Sequence, residues 1–172
     1  MAQLIGVVLA VALGLILLSD TMGLFEEGVA DTHEGETDAL ITRLRANVQV
    51  AFANQADLGD DDDLVDTLID LDKVPSNALN ADGDGILHPY GGAVTILGND
   101  ERIGITLAEL DDDQCARAAI KLVGARGVVN IVVGTAAPTA VFAGDEQGLE
   151  VADVADACDE GEGDNFLTFT FR

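Results

Sequence analysis

The sequence predicts an α+β fold in which a long N-terminal helix with an apolar first half packs on a small antiparallel sheet. Three observations predict it. The first 18 residues carry no charged side chain. A helical repeat of apolar positions follows, and the remainder mixes helix and strand patterns without a repeating βαβ unit. We expect two parts, the helix over 1–53 and a globular head over 54–172.

The apolar N-terminal segment is expected to be buried in lipid or against other protein. An uncharged run of 18 residues, if helical, just spans the hydrocarbon core of a bilayer. No basic stretch precedes it and no small-x-small cleavage site follows, which disfavours a secretory signal peptide. The segment is either a single-pass membrane anchor or the first half of a long bent helix that packs against copies of itself. The residues expected in such a filament core are Leu4, Val8, Val11, Leu15 and Leu18.

An amphipathic helix is predicted over 37–53. Leu40, Leu44, Val48 and Ala51 recur at spacings of four, four and three residues, which places them on one helical face. Polar residues occupy the opposite face. We therefore expect this helix to lie against the globular head.

The first part of the head is predicted to contain a short helix and a hairpin. The helix is expected over 62–71, with the acidic run Asp60–Asp63 at its positively polarised start. Two strand-type runs, 93–97 and 103–107, are separated by Gly98-Asn99-Asp100, a hairpin signal.

The second part of the head begins with a helix capped by Asp111–Asp113. Its inward positions are expected to be Cys115, Ala119, Leu122 and Val123. The runs 128–133 and 139–143 are predicted to form a second strand pair. A C-terminal strand is predicted over 165–171, with alternate residues on opposite faces.

The charge balance excludes several partners. Thirty-two acids against eight bases give a net charge of −24. Such a surface repels phosphate backbones, so no nucleic acid is expected as a partner, and it also repels anionic lipid head groups. The acidity suits either a saline habitat, where salt screens self-repulsion, or a filament surface that must stay soluble.

The chain has two cysteines, Cys115 and Cys158. Two isolated cysteines do not make a structural zinc site, which needs four ligands. In an exported protein they would form a structural disulfide, and closing a loop of about 44 residues would contribute about 4 kcal/mol. The alternative is a pair of buried, reduced thiols.

Calcium is the one cofactor that the sequence suggests. Asn80 to Gly85 follow the first half of a calcium loop, with Asp82 and Asp84 as the expected ligands and Asn80 as a third. The twelfth position is Gly91 instead of a bidentate glutamate. The alternative is a turn rich in aspartate and glycine that binds no metal, and no other cofactor is expected.

No catalytic constellation can be assembled. The only serines, Ser19 and Ser76, lie outside any nucleophile-elbow pattern. His33 and His88 are far apart in the sequence, and His88 is interpreted as a turn residue beside Pro89. We therefore expect no enzyme activity.

Basic residues gather on the third helix and just beyond it, at Arg117, Lys121 and Arg126. In so acidic a chain they could receive acidic loops of an adjacent subunit and so set the register between copies. The alternative is pairing with Asp113 or other nearby acids of the same chain.

Taken in order, these segments resemble the type IV pilins, specifically the type IVb kind, which includes conjugative thin-pilus and toxin-coregulated-type pilins. The set has an apolar start, an amphipathic helix, a Pro-x-Gly-Gly-x-Val-x-Ile segment and a Cys-loop-strand ending. The matching segments are 4–18, 37–53, Val74-Pro75-Ser76, 88–96, 112–115, Cys158 and 165–171.

The resemblance implies a subunit that is held in the inner membrane, matured by a prepilin peptidase and polymerised by an assembly machine into an extracellular pilus, with the cysteine-bounded region on its surface. Type IV pilins generally carry glutamate at the fifth mature position, where it is thought to neutralise a neighbour's terminal amine. If Met1 is the mature start, Ile5 stands there, so either this charge pairing is absent or the protein assembles by a variant scheme. The alternatives are a membrane-anchored extracytoplasmic binding module and a secretion-system pseudopilin. Adhesion, motility, conjugation and phage attachment are all left open as uses of the filament.

Overall fold

A helix over residues 32–51, here called α1, lies against an antiparallel sheet that forms the centre of the head. The structure is a computed structural model, and it describes residues 32–53, 60–99, 102–123, 125, 127–136, 151–159 and 164–172. The α+β fold with an antiparallel sheet is confirmed. In chain order after α1, the elements are β1 (Asp60–Asp63), α2 (Val65–Asp70), β2 (Ile86–Leu87), β3 (Ala93–Asn99), β4 (Arg102–Leu110), α3 (Asp112–Val123), β5 (Val128–Gly134), α4 (Val151–Asp159) and β6 (Asn165–Phe171).

The C-terminal strand is an interior strand of the sheet, between β4 and β5. The strand order is β1-β3-β4-β6-β5, and β2 pairs with the other end of β3. The strand β6 runs antiparallel to both neighbours, so that Phe169 lies opposite Ile105 on β4 and Ile131 on β5. The predicted alternation along β6 is present. Both of its faces are buried, because Thr168 and Thr170 are as inaccessible as Leu167 and Phe169.

The partner of β5 differs from the prediction. We expected 128–133 to pair with 139–143, but β5 pairs with β6, and residues 139–143 lie outside the described residues. Strand pairing depends on contacts that are distant in the chain, and local sequence patterns do not report them.

The acidic run Asp60–Asp63 is a strand and not the start of a helix. Asp62 and Asp63 lie opposite Gly98 and Leu97 of β3, so the sheet satisfies backbone groups that a helix would otherwise pair. The carboxylate of Asp63 still accepts a hydrogen bond from the Val65 amide at 2.9 Å. Of the four acids expected at the start of α2, Asp63 therefore does accept a hydrogen bond from the first turn of that helix.

The hairpin and the third helix are present as predicted, but Gly98 and Asn99, which were expected between the two strands, belong to β3 because they pair with Ile103 and Arg102. Strands β3 and β4 pair from Val94 opposite Leu107 to Asn99 opposite Arg102. At the start of α3 the Gln114 amide donates to the Asp111 carboxylate at 2.7 Å, while the Gln114 side chain accepts from the Asp111 amide at 3.3 Å. This reciprocal pair is a capping box.

The inward stripe of α1 anchors the helix to the head. Its buried side chains are Thr37, Leu40, Ile41, Leu44 and Val48. Further along, the Arg45 guanidinium lies 4.9 Å from the centre of the Phe171 ring on β6. The predicted helical stripe over 37–53 is thus the face that meets the sheet.

None of the helices in the described part of the chain is both long and apolar enough to cross a membrane. Residues 1–31, which include the predicted filament-core positions, lie outside those residues.

Candidate assembly surface

A second stripe of α1 faces away from the sheet. Exposed residues recur every three or four positions at Gly35, Ala39, Thr42, Ala46 and Gln49, and the first four of these are small. Val50, next to Gln49, is a large apolar side chain that is 67% exposed. Two exposed charges, Glu36 and Arg43, border this stripe. A helix surface without large side chains allows another element to approach closely, because the side chains at the contact set the distance between helix axes.

The disulfide ties the third helix to the last one. Cys115 on α3 and Cys158 on α4 are bonded, with their Cα atoms 5.8 Å apart and both side chains fully buried. The prediction of a disulfide is confirmed over the alternative of reduced thiols. The helix α4 was not predicted, although Val154 and Cys158 recur at a helical spacing of four.

Two of the three predicted basic contact residues lie on the outer side of α3. The Lys121 ammonium is 3.6 Å from the Glu34 carboxylate on α1. Lys121 therefore pairs with an acid of the same chain, but that acid lies on α1 and not on α3, where Asp113 was the expected partner. Arg117 is exposed on the same face. Arg126 lies outside the described residues.

An aromatic junction joins the start of α1 to the loop between β2 and β3. The ring of Tyr90 makes edge contacts with both histidines of the chain, at centroid distances of 5.6 Å to His33 and 5.9 Å to His88. Burial raises the pKa of Tyr90, and so does the nearby Glu34, while Arg117 opposes them. No local pattern in the sequence indicated that these three residues would meet.

His88 is the buried member of this junction. Its Nε2 donates to the Ala108 carbonyl at 2.8 Å. That carbonyl lies in a bulge of β4, where Glu109 has a φ of 58° and the register with β6 shifts. Its Nδ1 is buried and has no hydrogen-bond partner in the described part of the chain. Burial lowers the pKa of His88, and the hydrogen bond to Ala108 and the charge of Glu109 oppose this only in part.

Gly92 is required for this arrangement. A Cβ atom at residue 92 would stand 2.1 Å from the Ala108 oxygen and 2.5 Å from His88 Nε2. The Gly91-Gly92 pair of the sequence motif thus has a packing reason at its second position.

A cavity of about 270 Å³ lies between α1 and the segment 77–91. Its walls include Leu40, Leu79 and Leu87, and Glu36 and His88 also line it. We find no nucleophile and base placed together there, and its lining is polar and apolar in similar proportion.

The candidate calcium residues form a self-contained turn. The side-chain Nδ2 of Asn80 donates to the Asp84 carboxylate at 2.7 Å, and the side-chain Oδ1 of Asn80 accepts from the Asp84 backbone N–H at 3.0 Å. Asp82 is exposed on the same turn. Among the described residues, no cluster of three or more histidine, cysteine or acidic side chains is placed to hold a metal ion. Calcium binding stays a prediction.

One helix laid along an antiparallel sheet, with a disulfide bracing two smaller helices, defines the architecture. No protein-family model and no curated protein sequence matches the chain. Two solved structures share its fold. One is TcpA, a type IV pilin from Vibrio cholerae El Tor biotype, with 13% identity and a TM-score of 0.60 over 82% of this chain and 99% of that chain. The other is a type IVb pilin from Salmonella typhi, with 14% identity and a TM-score of 0.51 over 81% and 97% of the two chains. The chain therefore has the type IV pilin fold.

Proposed function

We propose that this chain is the structural subunit of an extracellular type IV pilus-like filament and that it polymerises with copies of itself through its N-terminal helix. The observation that carries the proposal is the outward stripe of α1. The helix uses large aliphatic residues to hold its own head and leaves a face of small residues exposed. That exposed face is suited to packing against identical subunits.

The uncharged leading segment supports the same function. A helix continuing through Leu4–Leu18 would present an apolar surface that a head of about 120 residues is too small to cover. Lipid would cover it before assembly, and neighbouring helices would cover it in the filament. The proposed life cycle is an inner-membrane stage, processing by a prepilin peptidase and export by a pilus assembly machine.

The function proposed is structural and not catalytic. Repetition of one heterologous contact between identical copies gives an open helical polymer. Two related functions would use the same fold: a secretion-system pseudopilin would give short periplasmic fibres, and a membrane-anchored binding module would give none.

The test is electron microscopy of material sheared from cells that produce the wild type or the Ala46→Glu variant. The wild type should give long filaments composed of this chain. In the variant, a carboxylate replaces a methyl group on the outward stripe, so filaments should be lost while the folded subunit persists in the membrane.

The matched control is Ala81→Glu, the same substitution at an exposed position of the 80–85 turn. It should leave filament length and number unchanged. Wild-type cells that contain only detergent-soluble monomers of this chain, and no fibres, would contradict the proposal.

A further inference from the structure

Both histidines of the chain lie at the aromatic junction, each in contact with Tyr90. Histidine is the side chain whose ordinary pKa places its change of charge between pH 5 and 8. The two side chains of this type therefore meet at one point, where the start of α1 touches the loop between β2 and β3. They differ in their surroundings, because His33 is half-buried on α1 and His88 is only 2% exposed.

The site of His88 is suited to the neutral ring. Because a carbonyl can only accept, Nε2 carries the proton that it donates to Ala108, and further protonation must occur at Nδ1. Nδ1 is buried and finds no hydrogen-bond partner among the described residues. Protonation would thus create a charged ring with an unpaired N–H away from water, which is strongly unfavourable.

Acidic groups surround the ring without supplying that acceptor. Glu109 on β4 acts on His88 through its charge, but the opposing effect of burial on the pKa is larger. Glu36 on α1 lines the same cavity as His88. The charged groups that act on the neighbouring Tyr90 are Glu34, Asp111 and Arg117. An imidazolium is therefore favoured near this acidic surface once the ring reaches water, but not in its buried site.

The cavity beside α1 gives the ring room to move. The ring is confined where it meets Gly92, since even a Cβ atom at that residue would stand 2.5 Å from Nε2. His88 also lines the cavity of about 270 Å³ between α1 and the segment 77–91. One water molecule takes up about 30 Å³, so the cavity can hold an imidazole ring together with water. A ring that turns into it gains Glu36 as an acidic neighbour.

We propose that His88 is an acid-operated release for the aromatic junction: when Nδ1 takes up a proton, the ring leaves the Ala108 carbonyl for the cavity, and the loop over 88–92 separates from the start of α1. Tyr90 couples the two, because its ring contacts both His88 and His33. The release uses contacts within one subunit and does not depend on polymerisation. Acid loosens the head from the first turns of α1, while the buried stripe further along the helix stays in place.

Amide hydrogen exchange of the full-length chain in detergent tests the release. The His88 amide bonds the Gly92 carbonyl at 3.0 Å, and the Gly91 amide bonds the His88 carbonyl at 2.8 Å, so both amides report on closure of the loop. Their protection factors should fall about tenfold between pH 7.5 and 5, because protons bind the open form more tightly. Their exchange should hardly respond to low denaturant, whereas exchange of the β4 and β6 amides should follow global unfolding.

The two histidines provide a matched pair of variants. His88→Asn removes the titrating ring, so the protection of the Gly91 amide should be nearly the same at the two pH values. His33→Asn removes the other ring of the junction and should retain the tenfold fall. Persistence of the fall in His88→Asn, or its loss in His33→Asn, would overturn the proposal.

Titration of the His88 ring nitrogens by NMR in the wild type covers the case in which His88→Asn loosens the loop at every pH. The proton should reside on Nε2 at pH 7.5, and the pKa of the ring should lie below its ordinary value of 6.5. A ring that titrates at its ordinary value would overturn the proposal, because a group with one pKa in both forms cannot couple acid to opening. Loop amides that exchange with the same free energy as those of β4 and β6 would also overturn it, since no local release would exist.

Discussion

The inward and outward sides of the same helices differ in the burial of their side chains. On α1, Leu44 and Val48 are fully buried against the sheet, while Ala39 and Ala46 are exposed. On α3, Cys115 is buried and Ile120 is half exposed. The large residues that face inward belong to the hydrophobic core of the head. The outward residues are exposed in the isolated subunit, and in the assembly that we propose those of α1 contact other copies.

The largest effect is expected from removing the disulfide on the inward side of α3. Replacing Cys115 and Cys158 by alanine removes a crosslink between residues 43 positions apart in the chain. In the chain-entropy model this should lower the free energy of unfolding by about 4 kcal/mol. Chemical denaturation of the full chain in detergent measures this. Wild type in reductant should behave like the double variant. An unchanged denaturation midpoint would show that the disulfide does not stabilise the folded head.

A somewhat smaller loss is expected from Leu44→Ala on the inward stripe of α1. Leu44 is fully buried, and truncations of this kind cost about 2–5 kcal/mol. The matched comparison is Thr42→Ala on the outward side, which should change the free energy of unfolding by less than about 0.5 kcal/mol. Equal losses in the two variants would mean that the outward side of α1 is buried within the subunit.

The aromatic junction adds a dependence on pH. Burial lowers the pKa of His88 below its ordinary value of 6.5. The unfolded chain therefore binds a proton more readily than the folded one, so stability should fall as the pH drops below about 6.5. Wild type and His88→Asn should be melted between pH 7.5 and 5. Because asparagine does not titrate, its loss over this range should be the smaller one, and parallel curves would exclude His88 as the cause.

The smallest expected effect is a gain in stability. Asp72→Gly relieves the left-handed conformation at φ 55°, so the subunit should become more stable by up to about 1 kcal/mol. Asp66→Asn is the control that removes a charge without changing the backbone, and a loss of stability in Asp72→Gly would contradict the strain argument.

Local patterns predicted much of the inward side. The stripe of α1, the capped helix α3 and the alternation along β6 follow from periodicity and from capping residues such as Asp111. The disulfide followed from the cysteine count together with the assumption of export. Apart from the disulfide, which joins cysteines 43 positions apart, these features depend on residues that are near one another in the chain.

Long-range contacts account for what the sequence did not reveal. Nothing local marks the pairing of β5 with β6, the ion pair of Lys121 with Glu34 or the gathering of His33 and His88 around Tyr90. The acidic run Asp60–Asp63 was misread because charge suggested a helix start, whereas pairing with β3 decided its conformation. The helix α4 carried a helical spacing at Val154 and Cys158 that could have found it.

A cryo-electron microscopy map of the wild-type filament is the most direct measurement of the difference between the two sides of α1. We expect Ala39 and Ala46 to lie against neighbouring subunits at the centre of the fibre, with the sheet turned away from the axis. A fibre in which this side of α1 faces solvent, and the heads alone make the contacts, would contradict the assembly that we propose.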